Sequence, residues 1–377
     1  MERVFDGVVD SFQPNVVHIQ HLKFWGVGIV ERARAKNCPV FFTLHEYMLI
    51  CPRDGQMLRP SGERCDVPVV STCASCIEGR ALEQGWIGRR AIAAGRFLSE
   101  RLPDGARHLG ARVARRVAVR NASAGTQIAR EQAISTRLSR TADALRHVET
   151  FLAPSQFLRD RFVASGMIPP DRIEWSRYGQ EVSRFPHVAK VPSARLRVGY
   201  LGTVSAYKGL GVFVEALESL SSFPIEGRIH GALEIFPDYV SYLRETVRNP
   251  NIHLMGRFDN KDVARLLAEI DVLVVPSLWW ENAPLTIHEA FLARVPVVCS
   301  DIGGMRELVT HGKNGLHFVV GDASDLARKL LSLATDQEFL KKLTPDPADI
   351  RDIREDAVSM IARYHRALVR RKQHGAS

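Results

Sequence analysis

From Leu196 to the end of the 330s, short apolar runs of strand length alternate with windows in which apolar residues return every three or four positions. "RLRVGYLG" precedes "GLGVFVEALESL", "GRIHG" precedes "DYVSYLRETV", and "NIHLMG" precedes "KDVARLLAEI". "DVLVVPS" precedes "PLTIHEAFLA", "PVVCS" precedes "GMRELVTHG", and "GLHFVV" precedes "ASDLARKLLSLA". The first member of each pair has the period of a strand and the second that of an amphipathic helix. Six such units in succession predict a parallel sheet covered by helices on both faces, a doubly wound domain over 195–345. Ligands of such sheets bind beyond the carboxyl ends of the strands.

The first half has the same grammar with an interruption. "NVVHIQHL" and "CPVFFTLHEY" read as strands separated by the helix "GVGIVERARAK", and "TFLAPS", "SQFLRDRFVASG" and "RIEWSRYG" continue the pattern. We expect a second Rossmann-like domain over 1–180, interrupted by an insertion over about 51–147. The Pro- and Ser-containing "QEVSRFPHVAKVPSA" reads as the linker, and 351–372 as a long amphipathic helix packing back across both domains. A doubly wound domain ordinarily opens on a strand and a glycine-rich turn. This chain starts on the helix-like "ERVFDGVVDSF", so the first domain is expected to be incomplete.

Composition adds a soluble class. Of 377 residues 45% are hydrophobic, enough for large cores, and no run approaches the roughly 20 apolar residues of a membrane span. Without a basic-then-apolar leader, the sequence suggests a cytoplasmic protein. The formal charge of +9 is concentrated: residues 80–147 hold fourteen arginines against Glu83, Glu100, Asp104, Glu131 and Asp143. "RRAIAAGRFLSERL" and "ARVARRVAVR" have the spacing of basic amphipathic helices, which suit an anionic membrane surface at the inner face of the cell membrane. Solvated arginine faces on ordinary helices are the plain alternative. Nucleic acid is not expected, since aromatics do not regularly interleave with the arginines.

Four of the six cysteines crowd one loop, as Cys51, Cys65, Cys73 and Cys76. The last two form a C-x2-C, and four thiolates from a Gly- and Pro-containing loop suit a structural zinc. An iron–sulfur cluster or unliganded thiols are the alternatives. Cys38 and Cys299 adjoin strand-like runs and read as core.

The chemistry concentrates at the predicted carboxyl edge of the second sheet. "PSLWWENAPLTIHEAF" places Glu281 in a turn after a strand, followed by Asn282, Ala283 and Pro284, and Glu289 in the next helix. Carboxylates there suit the vicinal hydroxyls of sugars and riboses. "SDIGGMREL" offers Gly303 and Gly304 at a helix start, where open backbone amides favour a phosphate. "GTVSAYKG" adds Gly202 for close approach and Lys208 as a cation.

Together these residues resemble the nucleotide-sugar domain of glycosyltransferase family 4, with Glu281 and Glu289 matching its E-x7-E motif. The resemblance spans about 14–335 and is strongest from 196 onward. It implies a GT-B fold, two Rossmann-like domains facing a cleft, here with a truncated first domain carrying the Cys-rich loop and the Arg-rich helical insertion. It implies that Glu289 holds the ribose, while Glu281 with Asn282, Ala283 and Pro284 contacts the donor sugar. Lys208 would stabilise the departing diphosphate, and Gly303, Gly304 and Met305 would approach donor through their main chain. His45 in "FFTLHEY" falls where the family often has a histidine facing the donor sugar. Thr203 stands where family members usually have an arginine, which shifts weight to Lys208 or to Arg257. The family's amino-terminal glycine-rich loop would precede residue 1.

The expectation is a retaining hexosyltransferase that uses a UDP- or GDP-sugar, needs no catalytic metal, and glycosylates a polysaccharide, glycolipid or other cell-envelope acceptor. The alternative is a non-catalytic or incomplete GT-B protein that binds a nucleotide sugar or a partner subunit.

Overall fold

The computed structural model describes residues 1–77, 127–186, 190 and 192–374. The first domain holds a four-stranded parallel sheet in the order β1 (Val17–Ile19), β2 (Val40–Thr43), β3 (Val148–Ala153), β4 (Ile173–Trp175). Every residue of "VFFT" in β2 is buried, the mark of a strand covered on both faces. Most of the Arg-rich segment, 78–126, and with it the docking expectation, lies outside the described residues. Of its remainder, the helix Gln127–Leu145 turns Arg137 inward to donate to the Met48 carbonyl, while Arg140 and Arg146 are exposed.

The second domain has six parallel strands, β5 (Leu196–Leu201), β6 (Ile225–His230), β7 (Ile252–Gly256), β8 (Val272–Val275), β9 (Val297–Ser300) and β10 (Gly315–Phe318). Their order is β10-β9-β8-β5-β6-β7. Connections run outward from β5 in one direction through β6 and β7, then return to β8 on its other side. The β5/β8 boundary is therefore the topological switch point, where the loops diverge and leave a crevice. The central strands are wholly buried, whereas "IHLMG" in β7 alternates, as an edge strand does.

This is a GT-B-like two-domain α/β plan, and the domains are tied in three places. The Gln180 amide donates to the Arg351 carbonyl at 2.9 Å, and the Ile353 amide to the Gln180 carbonyl at 2.9 Å. The helix Ile353–His374 then runs over the first domain, where Arg363 meets Glu174 at 2.9 Å and Tyr364 packs edge-on against Phe41. At the cleft, Glu307 accepts from the Gln156 and Phe157 amides at 3.0 and 3.1 Å. Those are the first amides of the helix Gln156–Ala164, whose next free amide, that of Leu158, is taken by the Ser155 hydroxyl. A carboxylate is favoured there by orphan donors and by the helix dipole. Among the described residues, no helix is long and apolar enough to cross a membrane.

Candidate active site

Two loops meet at the switch point because their backbones interlock. Gly209, at φ 72°, leaves the space where a Cβ would stand 1.8 Å from the Pro276 carbonyl, and the Leu278 amide donates to the Tyr207 carbonyl at 3.0 Å. This close approach puts Lys208, beyond β5, against Glu281, beyond β8. Lys208 Nζ lies 2.6 Å from Glu281 Oε1. The same oxygen accepts from Ser277 Oγ at 2.7 Å and Trp279 Nε1 at 2.8 Å. Lys208 also sits 4.9 Å over the Trp279 ring. Glu281 is buried, with a full set of donors on one oxygen, which holds its side chain in one orientation.

Beyond β9, Gly303 and Gly304 lie against this loop. The Gly304 amide donates to the Glu281 carbonyl at 2.8 Å, and a Cβ on Gly304 would fall 1.5 Å from the Asn282 carbonyl. The glycines are needed for close packing, and the Gly304 amide expected to be open is already engaged. Met305 is wholly buried in the core behind. Gly202 donates its amide to the His230 carbonyl, and Thr203 accepts the Tyr200 hydroxyl on its own carbonyl at 2.6 Å. Ala283 is buried and Pro284 caps the helix Leu285–Leu292, which carries Glu289.

The Glu289 carboxylate makes no hydrogen bond among the described residues, and burial pushes it up to about 7 against a weaker pull from Arg184. Arg257 stands apart: it follows β7 at the sheet edge, is largely exposed, and is paired with Glu234. The expectation that it replaces the arginine absent at Thr203 finds no support in that position.

The first domain supplies the facing wall. The Asn282 side-chain amide donates to the His45 carbonyl, and the His45 ring stacks on Tyr178 at 5.4 Å with its Nδ1 2.6 Å from the Tyr178 hydroxyl. Its Nε2 lies 2.8 Å from Gln20 Oε1. Burial, aided by nearby His21, lowers the His45 pKa, so the imidazole is neutral near pH 7. Sequence reasoning missed Tyr178, Gln20, Ser277 and Tyr47. The Tyr47 hydroxyl is wholly buried without a partner, and burial together with the Glu281 charge raises its pKa. Asn282 Oδ1 and Ser205 Oγ are likewise buried and unpartnered. Such atoms are rare in folded proteins, and an ordered water or a polar ligand would satisfy them. Position two after His45 in "LHEY" was the available signal for Tyr47.

Trp280 bridges the same wall: its Nε1 donates to the Cys65 carbonyl at 2.8 Å, and Arg161 lies 4.6 Å over its ring. The cysteine loop thus touches the site through its backbone. Its thiols are near enough that charge on one disfavours charge on the next, and burial pushes Cys73 up to about 11. Among the described residues, no three metal-ligating side chains gather in an arrangement that holds an ion. A separate cavity of about 820 Å³, lined by Trp175, Arg177 and Arg351, contains none of the residues that carry the cleft's chemistry.

The chain is similar to known proteins both in sequence and in fold. The chain is 28% identical over 216 residues to the putative colanic acid biosynthesis glycosyltransferase WcaL of Salmonella typhimurium, covering 55% of this chain and 52% of that protein. It is 28% identical over 196 residues to the amylovoran biosynthesis glycosyltransferase AmsK of Erwinia amylovora, covering 49% and 47%. The chain thus spans about half the length of these relatives. In fold it is similar to HepE of Anabaena, solved with UDP and glucose, at a TM-score of 0.63 and 16% identity over 96% of this chain and 80% of that one. Sucrose-phosphate synthase of Thermosynechococcus elongatus gives 0.65 and 15% over 100% and 78%. The model of the family described as glycosyl transferases group 1 matches residues 195–336. Over that domain, the chain is similar to the glycosyl transferases group 1 family.

Proposed function

We propose that this protein transfers a hexose-type sugar from a nucleotide diphosphate sugar to a saccharide or lipid-linked acceptor of the cell envelope. The observation that carries the reading is the Lys208–Glu281 pair at the β5/β8 switch point, facing His45 across the cleft. UDP-sugars are the first donors to try, since HepE was solved with UDP and glucose, and GDP-sugars the second.

In this reading the donor diphosphate lies over the loop after β5. Lys208 shares its charge between Glu281 and the leaving oxygen, where charge develops as the glycosidic bond breaks. Glu281 is held by three donors on one oxygen, so its second oxygen and the backbone of Asn282 and Ala283 grip sugar hydroxyls. It is a positioning carboxylate, and attack by the acceptor on the same face as the departing phosphate gives retention. Glu289 takes the ribose hydroxyls in its ionised form. The neutral His45 offers its ring edge to the sugar while Tyr178 and Gln20 hold the ring. Lys208 and main-chain amides answer the diphosphate charge, so the chemistry proceeds without a divalent ion.

The test is donor hydrolysis and transfer with UDP- and GDP-sugars in the presence of EDTA. Activity that Lys208→Ala lowers by about 10²-fold or more supports the reading, on the scale of lost leaving-group stabilisation; unchanged rates in that variant defeat it.

A further inference from the structure

A second concentration of charge lies far from the cleft. Val148 opens β3 and pairs with Val40 at the start of β2, so this is the amino edge of the first sheet. His45 and the cleft follow the opposite edge. Here a cavity of about 420 Å³ is lined by Arg34, Arg146, Arg172, Arg370 and Arg371, with His147, Val148 and Glu149. Among the described residues, five arginines thus share the lining with one glutamate. Arg146 also stands 3.4 Å from Asp143, a pair exposed on both sides and weak for that reason.

The geometry of the arginines is fixed in part by neutral acceptors. Arg371 Nη1 donates to the Asn37 carbonyl at 2.7 Å, and Arg172 Nη1 to the Arg146 carbonyl at 2.9 Å. Those bonds orient the side chains without neutralising them. The cations come from two bodies of the protein: Arg34, Arg146 and Arg172 belong to the first domain, while Arg370 and Arg371 sit at the end of the helix that arrives from the second. Docking that helix therefore brings Arg371 beside the first domain's Arg34, Arg146 and Arg172, an approach that an anion between them favours. Planar guanidinium groups meet phosphate oxygens through paired N–H bonds, and several around one cavity match a phosphate or diphosphate better than a monovalent ion.

We propose that this cleft binds a phosphate-bearing anion that clamps the last turns of Ile353–His374 to the first domain. The anion is either a soluble phosphate ester or diphosphate, or the phosphate of an anionic lipid headgroup. The site is separate from the donor site and stands whether or not the transferase reading holds.

Hydrogen exchange on the full chain tests it with inorganic pyrophosphate as the soluble probe. Amides over 366–374 are expected to exchange at least about fivefold more slowly with pyrophosphate than with potassium chloride of equal ionic strength, as ligand linkage requires. The effect should survive in Lys208→Ala, which alters only the donor site, and vanish in the double variant Arg34→Gln/Arg146→Gln. Both of those arginines are exposed, and circular dichroism checks that the variant is folded. Vesicles of phosphatidylcholine with and without phosphatidic acid supply the second arm. Binding that needs phosphatidic acid and is displaced by pyrophosphate assigns the headgroup as the source; protection by pyrophosphate without vesicle binding assigns a soluble anion. No protection by either probe, equal protection by potassium chloride, or protection undiminished in the double variant overturns the proposal.

Discussion

Lys208 Nζ and Glu281 Oε1 stand 2.6 Å apart, from loops that follow strands of adjacent position but distant sequence. The pair is partly desolvated, with side-chain exposures of 23% and 10%. Removing the lysine leaves a buried carboxylate with only Ser277 and Trp279 as donors. Lys208→Ala is expected to cost about 1–3 kcal/mol in urea denaturation, below the full penalty of an unpaired buried charge. Glu281→Gln combined with Lys208→Met should recover most of that loss while remaining inactive in transfer.

Burial raises the Glu289 carboxyl to about 7, so the folded state holds a proton that the unfolded chain releases near 4.5. Stability contributed by that proton is present below about 4.5 and is lost as pH rises through 7. Glu289→Gln should therefore be more stable than the parent at pH 8, by about 1–2 kcal/mol after allowing for partial exposure, and nearly equal to it at pH 4. Donor affinity, measured by calorimetry, is expected to rise from pH 6 to 8 in the parent as the carboxylate forms, and to lose that rise in the variant.

The glycines separate by what a Cβ would meet. Gly304→Ala drives a methyl into the Asn282 carbonyl and is expected to destabilise by more than about 2 kcal/mol and to abolish donor binding. Gly7, inside the helix Glu2–Phe12, has nothing within 4 Å, so Gly7→Ala should stabilise by about 0.5–1 kcal/mol. Thermal denaturation of the two variants checks both signs.

Glu307 caps the helix Gln156–Ala164 from the other domain, and Glu307→Ala leaves two N-terminal amides to water. A loss of about 1 kcal/mol is expected, with faster proteolysis in the segments that join the domains. Glu307→Gln keeps an acceptor and should fall between.

Under native labelling at pH 7.5, Cys73 and Cys299 should react slowest with a thiol reagent, because burial pushes both thiols up and the thiolate is the reactive form. Unfolding in urea should equalise all six. Mass spectrometry of labelled peptides gives the order.

Much of the second domain is legible in the chain. Six alternating units lead to one parallel sheet, and the loops after β5, β8 and β9 carry Lys208, Glu281 and Gly303 because functional loops of such sheets follow strand ends. The first domain was legible as strands and helices, yet His45 alone carried a recognisable signal there. Tyr178 and Gln20 hold its ring from positions 133 and 25 residues away, distances at which local pattern says nothing.

Periodicity and local chemistry determined which segments become strands, which become helices, and which loops hold carboxylates, a cation and glycines. Only the tertiary structure decided that Glu281 is saturated by three donors, that the Gly304 amide is already used, that Arg257 turns to Glu234, and that arginines from both ends of the chain line one cavity. The physical reason is range. Strand and helix preferences act over a few residues, whereas a hydrogen bond or an ion pair depends on which distant loop the packed sheets bring within 3 Å.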